Sequence, residues 1–469
     1  MEEARTRIVC TIGPASSSPI LLARMMRAGM DVARLNFSHG THEEHAALFR
    51  SVHAAARKIG KTVAILQDLQ GPKIRVGELP KQGVVLREGQ TVTLTTKPIV
   101  YSAKLQHIPL TYHSLHKDVK KDHRIFLDDG NMQLSVLRIN DRNMHCSVDV
   151  GGTLTSHKGV NVPDSIVSTS ALTEKDKADL VFGAALGVDW VCVSFVTSPA
   201  ALKIARALAQ EVARKHHRRT PMIMAKVERA AALKNFDAIL EEADGIMLGR
   251  GDLGVEIAPE EVPLVQKDVA ERCRLAGKPC IVATHMLESM KSNPRATRAE
   301  ISDIANAVFD HVDAVMLSAE SATGRYPAVA VQAMNQAIIA AENSRYDDIL
   351  VTATPTKDIG QAFAQILAIL AEAQGIAAVL VPADLPEARM LAHYRPRVPF
   401  GFLVPDKEAA RQVMLSWGAV PLVVDMSPAT LPSRVRTLAK ATWDLKKGSR
   451  IVLITGSEKT GLQLTVITQ

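Results

Sequence analysis

Short apolar runs of strand length alternate with capped helical stretches eight times along this chain, and few folds accept such a rhythm. The strand candidates are Arg7–Thr11, Met30–Leu35, Thr62–Gln67, Trp190–Ser194, Met222–Lys226, Gly245–Leu248, Cys280–Ala283 and Asp313–Leu317. Most are continuously apolar, as a strand buried on both faces must be. The intervening helices announce their starts locally, with Ser18 before Pro19, Thr41 paired with Glu44, and Thr173. Eight strand–helix repeats are the count of a closed (β/α)8 TIM barrel, so the fold class is α/β.

The rhythm breaks once, from Gly71 to about Ser170, where the pattern becomes alternating and β-rich (Thr91–Thr95, Arg124–Leu127, Leu134–Arg138, Met144–Val150). Loops between strand and helix run about 2–6 residues, so this stretch is an inserted domain. The barrel is therefore expected from 1–71 and 171–343, with a β-barrel-like insert over 72–170. After Asn343 a helix (Ile359–Ala373) and strands at Ala377–Val381, Phe400–Val404, Pro421–Val424 and Arg450–Thr455 predict an open α/β domain over 344–469.

With 469 residues and 47% hydrophobic side chains, the chain can bury several cores. Aromatics make up only 4%, which argues against stacking platforms for single-stranded nucleic acid. The densest basic run, Arg214 to Arg219, reads as a solvated helix end, and the net charge of +7 suits anionic small molecules. The five cysteines show no Cys-x-x-Cys spacing and read as reduced core thiols. No apolar run approaches the roughly 20 residues that cross a membrane. These features predict a cytoplasmic protein that binds neither membrane nor nucleic acid.

The chemistry gathers at the strand ends: Arg34, Asn36, Asp68, Ser194, Lys226, Glu228, Asp252, Thr284, Ser318 and Glu320. Barrels of this class keep their active sites at that C-terminal face. The richest stretch is Met222–Glu256, where two neighbouring apolar strands stop at Lys226 with Glu228, and at Arg250-Gly251-Asp252. Two carboxylates beside backbone oxygen suit a hard divalent cation that keeps waters for substrate oxygens. A lysine next to that cation faces the substrate. The plain alternative is a set of surface salt bridges at loop mouths.

At these residues the chain resembles the pyruvate kinase family. The motifs are Ile8-Val-Cys-Thr-Ile-Gly-Pro-Ala-Ser16, Val32-Ala-Arg-Leu-Asn-Phe-Ser-His-Gly40, Lys226-Val-Glu228, Gly251-Asp-Leu-Gly-Val-Glu256, Ala283-Thr284 with Met286–Met290, and Pro294 with Thr297–Glu300. The resemblance implies Mg2+-dependent transfer of the phosphoryl group of phosphoenolpyruvate to ADP, with Mn2+ able to replace Mg2+. It implies Glu228 and Asp252 as metal ligands, and Lys226, Arg34, Arg75 and Thr284 as catalytic residues. Substrate contacts then fall to Arg34, Lys226, Gly251, Asp252, Thr284, Ser318 and Glu320, and nucleotide contacts to Asn36, His39, Arg75 and Lys158. The insert would close as a lid, bringing Asp128-Asp129 and Lys158-Gly159 near the site. A homotetramer and an allosteric, oligomer-forming C-terminal domain are further expectations of the resemblance.

The chain departs from the family in four places. Potassium-dependent members carry Thr, Lys and Glu where this chain has Leu69, Gln70 and Lys73. The potassium ligands of such relatives correspond to Asn36, Ser38, Asp68 and the carbonyl of Leu69. Lys73 is expected to supply that positive charge internally, so that K+ is not required. His285 stands where Gln is usual. The phosphate loop of the C-terminal domain reads Pro382-Ala-Asp-Leu-Pro-Glu387, without hydroxyls. The extra C-terminal domain of some bacterial members is expected to be absent. Two other readings are a Mg2+-dependent barrel that cleaves carbon–carbon bonds through an enolate and a non-catalytic relative. The first would lack the long insert, and the second would have lost Lys226, Glu228 or Asp252.

Overall fold

Eight parallel strands close into a barrel: β1 (Arg7–Thr11), β2 (Met30–Asn36), β3 (Ala64–Asp68), β4 (Trp190–Val193), β5 (Met222–Val227), β6 (Gly245–Gly249), β7 (Cys280–Ala283) and β8 (Ala314–Leu317). Each pairs with its neighbours in sequence, and β8 returns to β1. This computed structural model describes residues 4–102, 106–165, 167, 172–347, 359–371, 375–427, 430–457 and 461–468. Local chemistry explains where helices begin. Thr41, Thr173 and Thr297 each form a capping box with the residue three positions on, satisfying two backbone donors reciprocally. Ser18 caps Pro19–Ala28, and Gly29 ends it at φ 131°.

Between β3 and the helix Glu174–Leu186 lies the insert, a six-stranded sheet with a two-stranded ribbon. The sheet runs in the order Val160–Asn161, Arg124–Leu127, Met132–Asn140, Asn143–Val150, Thr91–Thr95, His107–Pro109. The ribbon pairs Val84–Leu86 with Gly152–Leu154. The insert has a core of its own, built from residues between Ile74 and Val162. The expected boundary at 170/171 lies outside the described residues.

The C-terminal domain is a five-stranded sheet in the order Val420–Val423, Phe400–Val404, Ile376–Pro382, Arg450–Ser457, Gly461–Thr468. The last pair is antiparallel and the others are parallel. Separate apolar clusters cover the two faces. The expected end of its first helix, Ala373, lies outside the described residues; Ile359–Ala371 is helical.

The barrel interior is filled by Val9, Val32, Leu66, Trp190, Cys192, Met224, Met247, Ile281 and Met316. Two residues of the C-terminal domain, Met414 and Leu415, complete this cluster, and both are buried. Polar contacts ring that plug. Trp190 Nε1 donates to the Gln412 carbonyl at 3.0 Å, Arg411 Nε to Asp189 at 2.8 Å, and the Trp417 amide to Asp313 at 2.9 Å. The basic run after helix Pro199–Lys215 is not merely solvated. The Arg219 amide donates to Glu408 at 3.0 Å and its Nε to Gln412 at 2.8 Å, while Arg218 lies 3.5 Å from Glu408. The long side chains reach carboxylates of a domain that the local sequence does not reveal.

Candidate active site

At the mouth of the barrel, the end of β5 carries Lys226 and leads into Glu228. The Lys226 ammonium lies 2.7 Å from Glu228 and 3.6 Å from Asp68, which ends β3. Asp68 is 1% exposed and is the hub of the cluster. Arg34, near the end of β2, donates to it at 2.7 Å through Nε and also reaches the Thr11 hydroxyl at 2.8 Å. The Ser194 hydroxyl donates to the other Asp68 oxygen at 3.0 Å. Burial opposes ionisation of Asp68, but Lys226 and Arg34 hold its pKa below the usual carboxylate range. Burial likewise works against the Lys226 ammonium, and Asp68 and Glu228 outweigh it and raise its pKa. The strand ends thus hold the buried Lys226 ammonium beside the Arg34 guanidinium.

The carboxylate pair lies next to them. Glu228 packs where β6 ends in Gly249, and a Cβ at that glycine would stand 2.7 Å from Glu228 Cγ. Only glycine leaves that room. The Phe195 amide donates to Glu228 at 3.1 Å, from a backbone at φ 55°. Asp252, in the first turn of Arg250–Glu256, is close enough to hydrogen-bond with Glu228. Burial pushes Glu228 up to about 7; Lys226 opposes that shift and Asp252 adds to it. Burial would also raise Asp252, but Lys73 and Lys226 outweigh it and lower its pKa. Two carboxyls that share a proton in a buried site are what a hard dication would bring to full ionisation. The donor set therefore fits Mg2+. Among the described residues no cluster of three or more His, Cys, Asp or Glu side chains could hold a metal, so the remaining ligands would come from water and substrate.

Lys73 takes a different place from the one expected. Its ammonium lies 2.8 Å from Asp252 and 3.6 Å from Asp129 of the insert, and not against Asn36, Ser38 or Asp68. The Asn36 side chain accepts from the Ser38 amide at 3.2 Å, and the Leu69 amide donates to the Cys192 carbonyl. The His39 carbonyl is bonded by His45, whose ring stacks on Phe37 at 3.8 Å.

Thr284 follows β7 at φ 72°, and His285 follows it at φ 56°. Such conformations cost a β-branched residue on the order of 1–3 kcal/mol and cluster at functional sites. The Gly251 amide donates to the Thr284 hydroxyl at 2.7 Å, which joins the glycine-rich turn to the end of β7. Arg250 holds that turn by donating to Asp303 at 2.7 Å and to the Thr284 carbonyl at 2.9 Å. Its charge does not join the Lys226 cluster. After β8, the carboxylate of Glu320 is fully buried and accepts from the Leu287 amide at 3.1 Å and the Ser318 amide at 2.8 Å.

The nucleotide-side candidates of the insert come together at one edge. Arg75 bridges to Gly159 and donates to the His157 carbonyl at 3.0 Å, and Lys158 pairs with Asp128 at 2.6 Å. Sequence reasoning missed Phe195 as a backbone donor to Glu228 and Arg250 as a brace, because both roles depend on partners far away in the chain.

Comparison with known proteins follows the same lines. Residues 3–331 match the family described as "Pyruvate kinase, barrel domain", and residues 361–465 match "Pyruvate kinase, alpha/beta domain". A pyruvate kinase of Agrobacterium vitis is 40% identical over 464 residues, covering 96% of this chain and 95% of the relative. One from Geobacillus stearothermophilus is 42% identical over 420 residues, covering 88% of this chain and 70% of the relative. The crystal structure of a pyruvate kinase from Cryptosporidium parvum superposes with a TM-score of 0.91 at 32% identity, covering 98% of this chain and 96% of that one. With barrel, C-terminal domain and near full-length relatives all in agreement, the chain belongs to the pyruvate kinase family.

Proposed function

We propose that this chain carries out its family's reaction, Mg2+-dependent transfer of the phosphoryl group of phosphoenolpyruvate to ADP, through the strand-end cluster of Lys226, Arg34, Glu228 and Asp252. One observation carries the residue assignment. Arg34, Lys226 and Lys73 face Asp68, Glu228 and Asp252, so three cations pair with three carboxyl groups in one strand-end cluster. A bound Mg2+ at Glu228 and Asp252 would add positive charge to that cluster and neutralise phosphoryl charge.

The chain's own residues do the rest. Lys226 presents a fixed ammonium where negative charge grows on the enolate and the transferring group, and it needs no reorganisation to do so. Arg34 orients the phosphoryl oxygens, and Asp68 keeps both cations aimed. The Gly251 and Asp252 amides, with the Thr284 hydroxyl, receive the substrate carboxylate at a glycine-rich turn. Ser318 and Glu320 brace the neighbouring loop. Arg75, Lys158, Asn36 and His39 serve the nucleotide, and closure of the insert keeps water from taking the phosphoryl group. The P–O bond to the enol oxygen breaks, one to the terminal ADP oxygen forms, and the enolate takes a proton to give pyruvate.

Four finer readings accompany this one. The chain divides at 1–71 with 171–343, 72–170 and 344–469. K+ is not required. The protein assembles as a homotetramer; exposed Ile366 and Ile369 on one helix, with Val466 on the edge strand, offer apolar surface that a second copy would cover. It works in the cytoplasm, in keeping with five free, buried cysteines and with no helix, among the described residues, long and apolar enough to cross a membrane.

The deciding experiment measures pyruvate release from phosphoenolpyruvate, with ADP and Mg2+ each present or omitted. Turnover should need both. Turnover that is unchanged without Mg2+, or no turnover at all, would overturn the reading.

A further inference from the structure

A cleft of about 560 Å3 separates the last stretch of the insert, residues 160–165 with Val167, from the loops that follow β4 and β5. That volume suits a small organic ligand. Its walls are partly apolar, with Val160 and Val162 on the insert side and Ala231 on the barrel side. Two cations line it, and Arg229 lies near enough to Glu256 to favour that carboxyl's charged form. Among the described residues, neither Arg229 nor Lys234 has a carboxylate within ion-pair distance. The carboxylates on the same walls are already engaged. Asp164 accepts three bonds from Arg124, at 2.8, 2.9 and 3.0 Å, and Glu256 accepts from Asn161 Nδ2 at 3.2 Å. Lys73, the third cation at the cleft, is held by Asp252 and Asp129.

The cleft also shares a wall with the carboxylate pair. The Arg229 guanidinium lies 5.2 Å from the centroid of the Phe195 ring, and the Lys73 ammonium 5.9 Å from the same ring. The amide of that phenylalanine is the one that donates to Glu228. Anything that draws Arg229 away from the ring acts one residue's width from a metal-binding oxygen.

We propose that this cleft is a second ligand site for a small organic phosphate monoester with an apolar body, its dianion paired with Arg229 and Lys234, and that filling it is coupled to divalent-cation binding at Glu228. Two cations with no carboxylate in direct contact match the dianion, and the apolar walls match the body. A ligand seated there touches insert and barrel together, so it binds best to one position of the insert. Whatever else prefers that position then binds with altered affinity, and the effect is reciprocal. The coupling clause rests on Glu228 as a metal ligand; the binding site does not.

The test is calorimetric titration of phenyl phosphate into the full chain already saturated with Mg2+ and phosphoenolpyruvate, with ADP omitted. One site per chain is expected. Affinity should fall by about tenfold or more in Arg229→Gln, Lys234→Gln and Ala231→Phe, as loss of one charge-assisted contact or of the space implies. Lys234 is exposed, so its variant folds normally, and Ala231→Phe fills the cleft while keeping both cations. Absence of binding at millimolar phenyl phosphate, or equal affinity in wild type, Arg229→Gln and Lys234→Gln, overturns the site. Mg2+ titration should show an affinity changed by phenyl phosphate in wild type and unchanged in Arg229→Gln. If Mg2+ affinity is the same in wild type with and without phenyl phosphate, the coupling is overturned while the functional reading stands.

Discussion

Replacing Lys226 by Met removes the ammonium and keeps most of the side chain's volume. Its nitrogen stands 2.7 Å from one carboxylate and 3.6 Å from another, so an oxyanion forming in the same volume would lie about as close. At roughly 4 Å and an effective dielectric near 20, the attraction between unit charges is about 4 kcal/mol. If that interaction grows in as charge develops on the enolate, its loss slows turnover by about a thousandfold. The ground state suffers less. Asp68 keeps its bonds to Arg34, and Glu228 loses a cation that competes with Mg2+ for its charge. Mg2+ and phosphoenolpyruvate affinities should therefore stay within about tenfold of wild type, and the loss should appear in kcat and kcat/KM together. Steady-state pyruvate release and calorimetric binding to the same preparation measure both. A variant that keeps more than about a tenth of wild-type kcat would falsify the role given to Lys226.

Mg2+ affinity should weaken by about tenfold per pH unit below neutrality. Glu228, raised to about 7, must lose its proton to bind the ion, and a flat profile from pH 6 to 8 would contradict that. Exchange of residues 75–166 for a short Gly-Ser linker should leave a folded barrel, since the insert has its own core, and should abolish transfer to ADP; an unfolded product would show that the barrel depends on the insert. In tetramethylammonium buffer the wild-type rate should rise less than about tenfold on adding K+. Lys73→Glu should then create a need for a cation, because it sets a third carboxylate beside Asp252 and Asp129. Saturating fructose 1,6-bisphosphate should leave the phosphoenolpyruvate midpoint where it is, since exposed Asp384 opposes a phosphate there; a leftward shift would refute this.

What the sequence discloses, and what it hides, follows the range of each interaction. Thr41 and Thr173 bond three residues away, so their helix starts are visible in a short window. The barrel strands are visible because burial on both faces forces apolar runs. The edge strand Gly461–Thr468 carries little sequence signal: one flank borders solvent, and residues such as Gln463 and Thr465 break its apolar run. The short strands His107–Pro109 and Gly152–Leu154 are defined by their pairing and little else. Lys226, Glu228 and Asp252 could be found as charges at the ends of apolar runs. The partner of Lys73 could not, because Asp252 lies 179 residues further along the chain. The same holds for Arg219 and Glu408, 189 residues apart.

The plug at the bottom of the barrel sets an order of events during synthesis. A ribosome finishes β8 at Leu317, yet Met414 and Leu415, which seal the interior, are made about a hundred residues later. At roughly 5–20 residues per second, the nascent barrel waits about 5–20 s with its floor uncovered. During that interval the Trp190 ring lacks the Gln412 carbonyl it donates to, and the interior cluster lacks two of its members. The barrel is the larger part of the chain and the first made, but it depends for completion on a segment made after it. A stalled or prematurely released chain would carry an adhesive opening, of the kind chaperones hold until the remainder arrives.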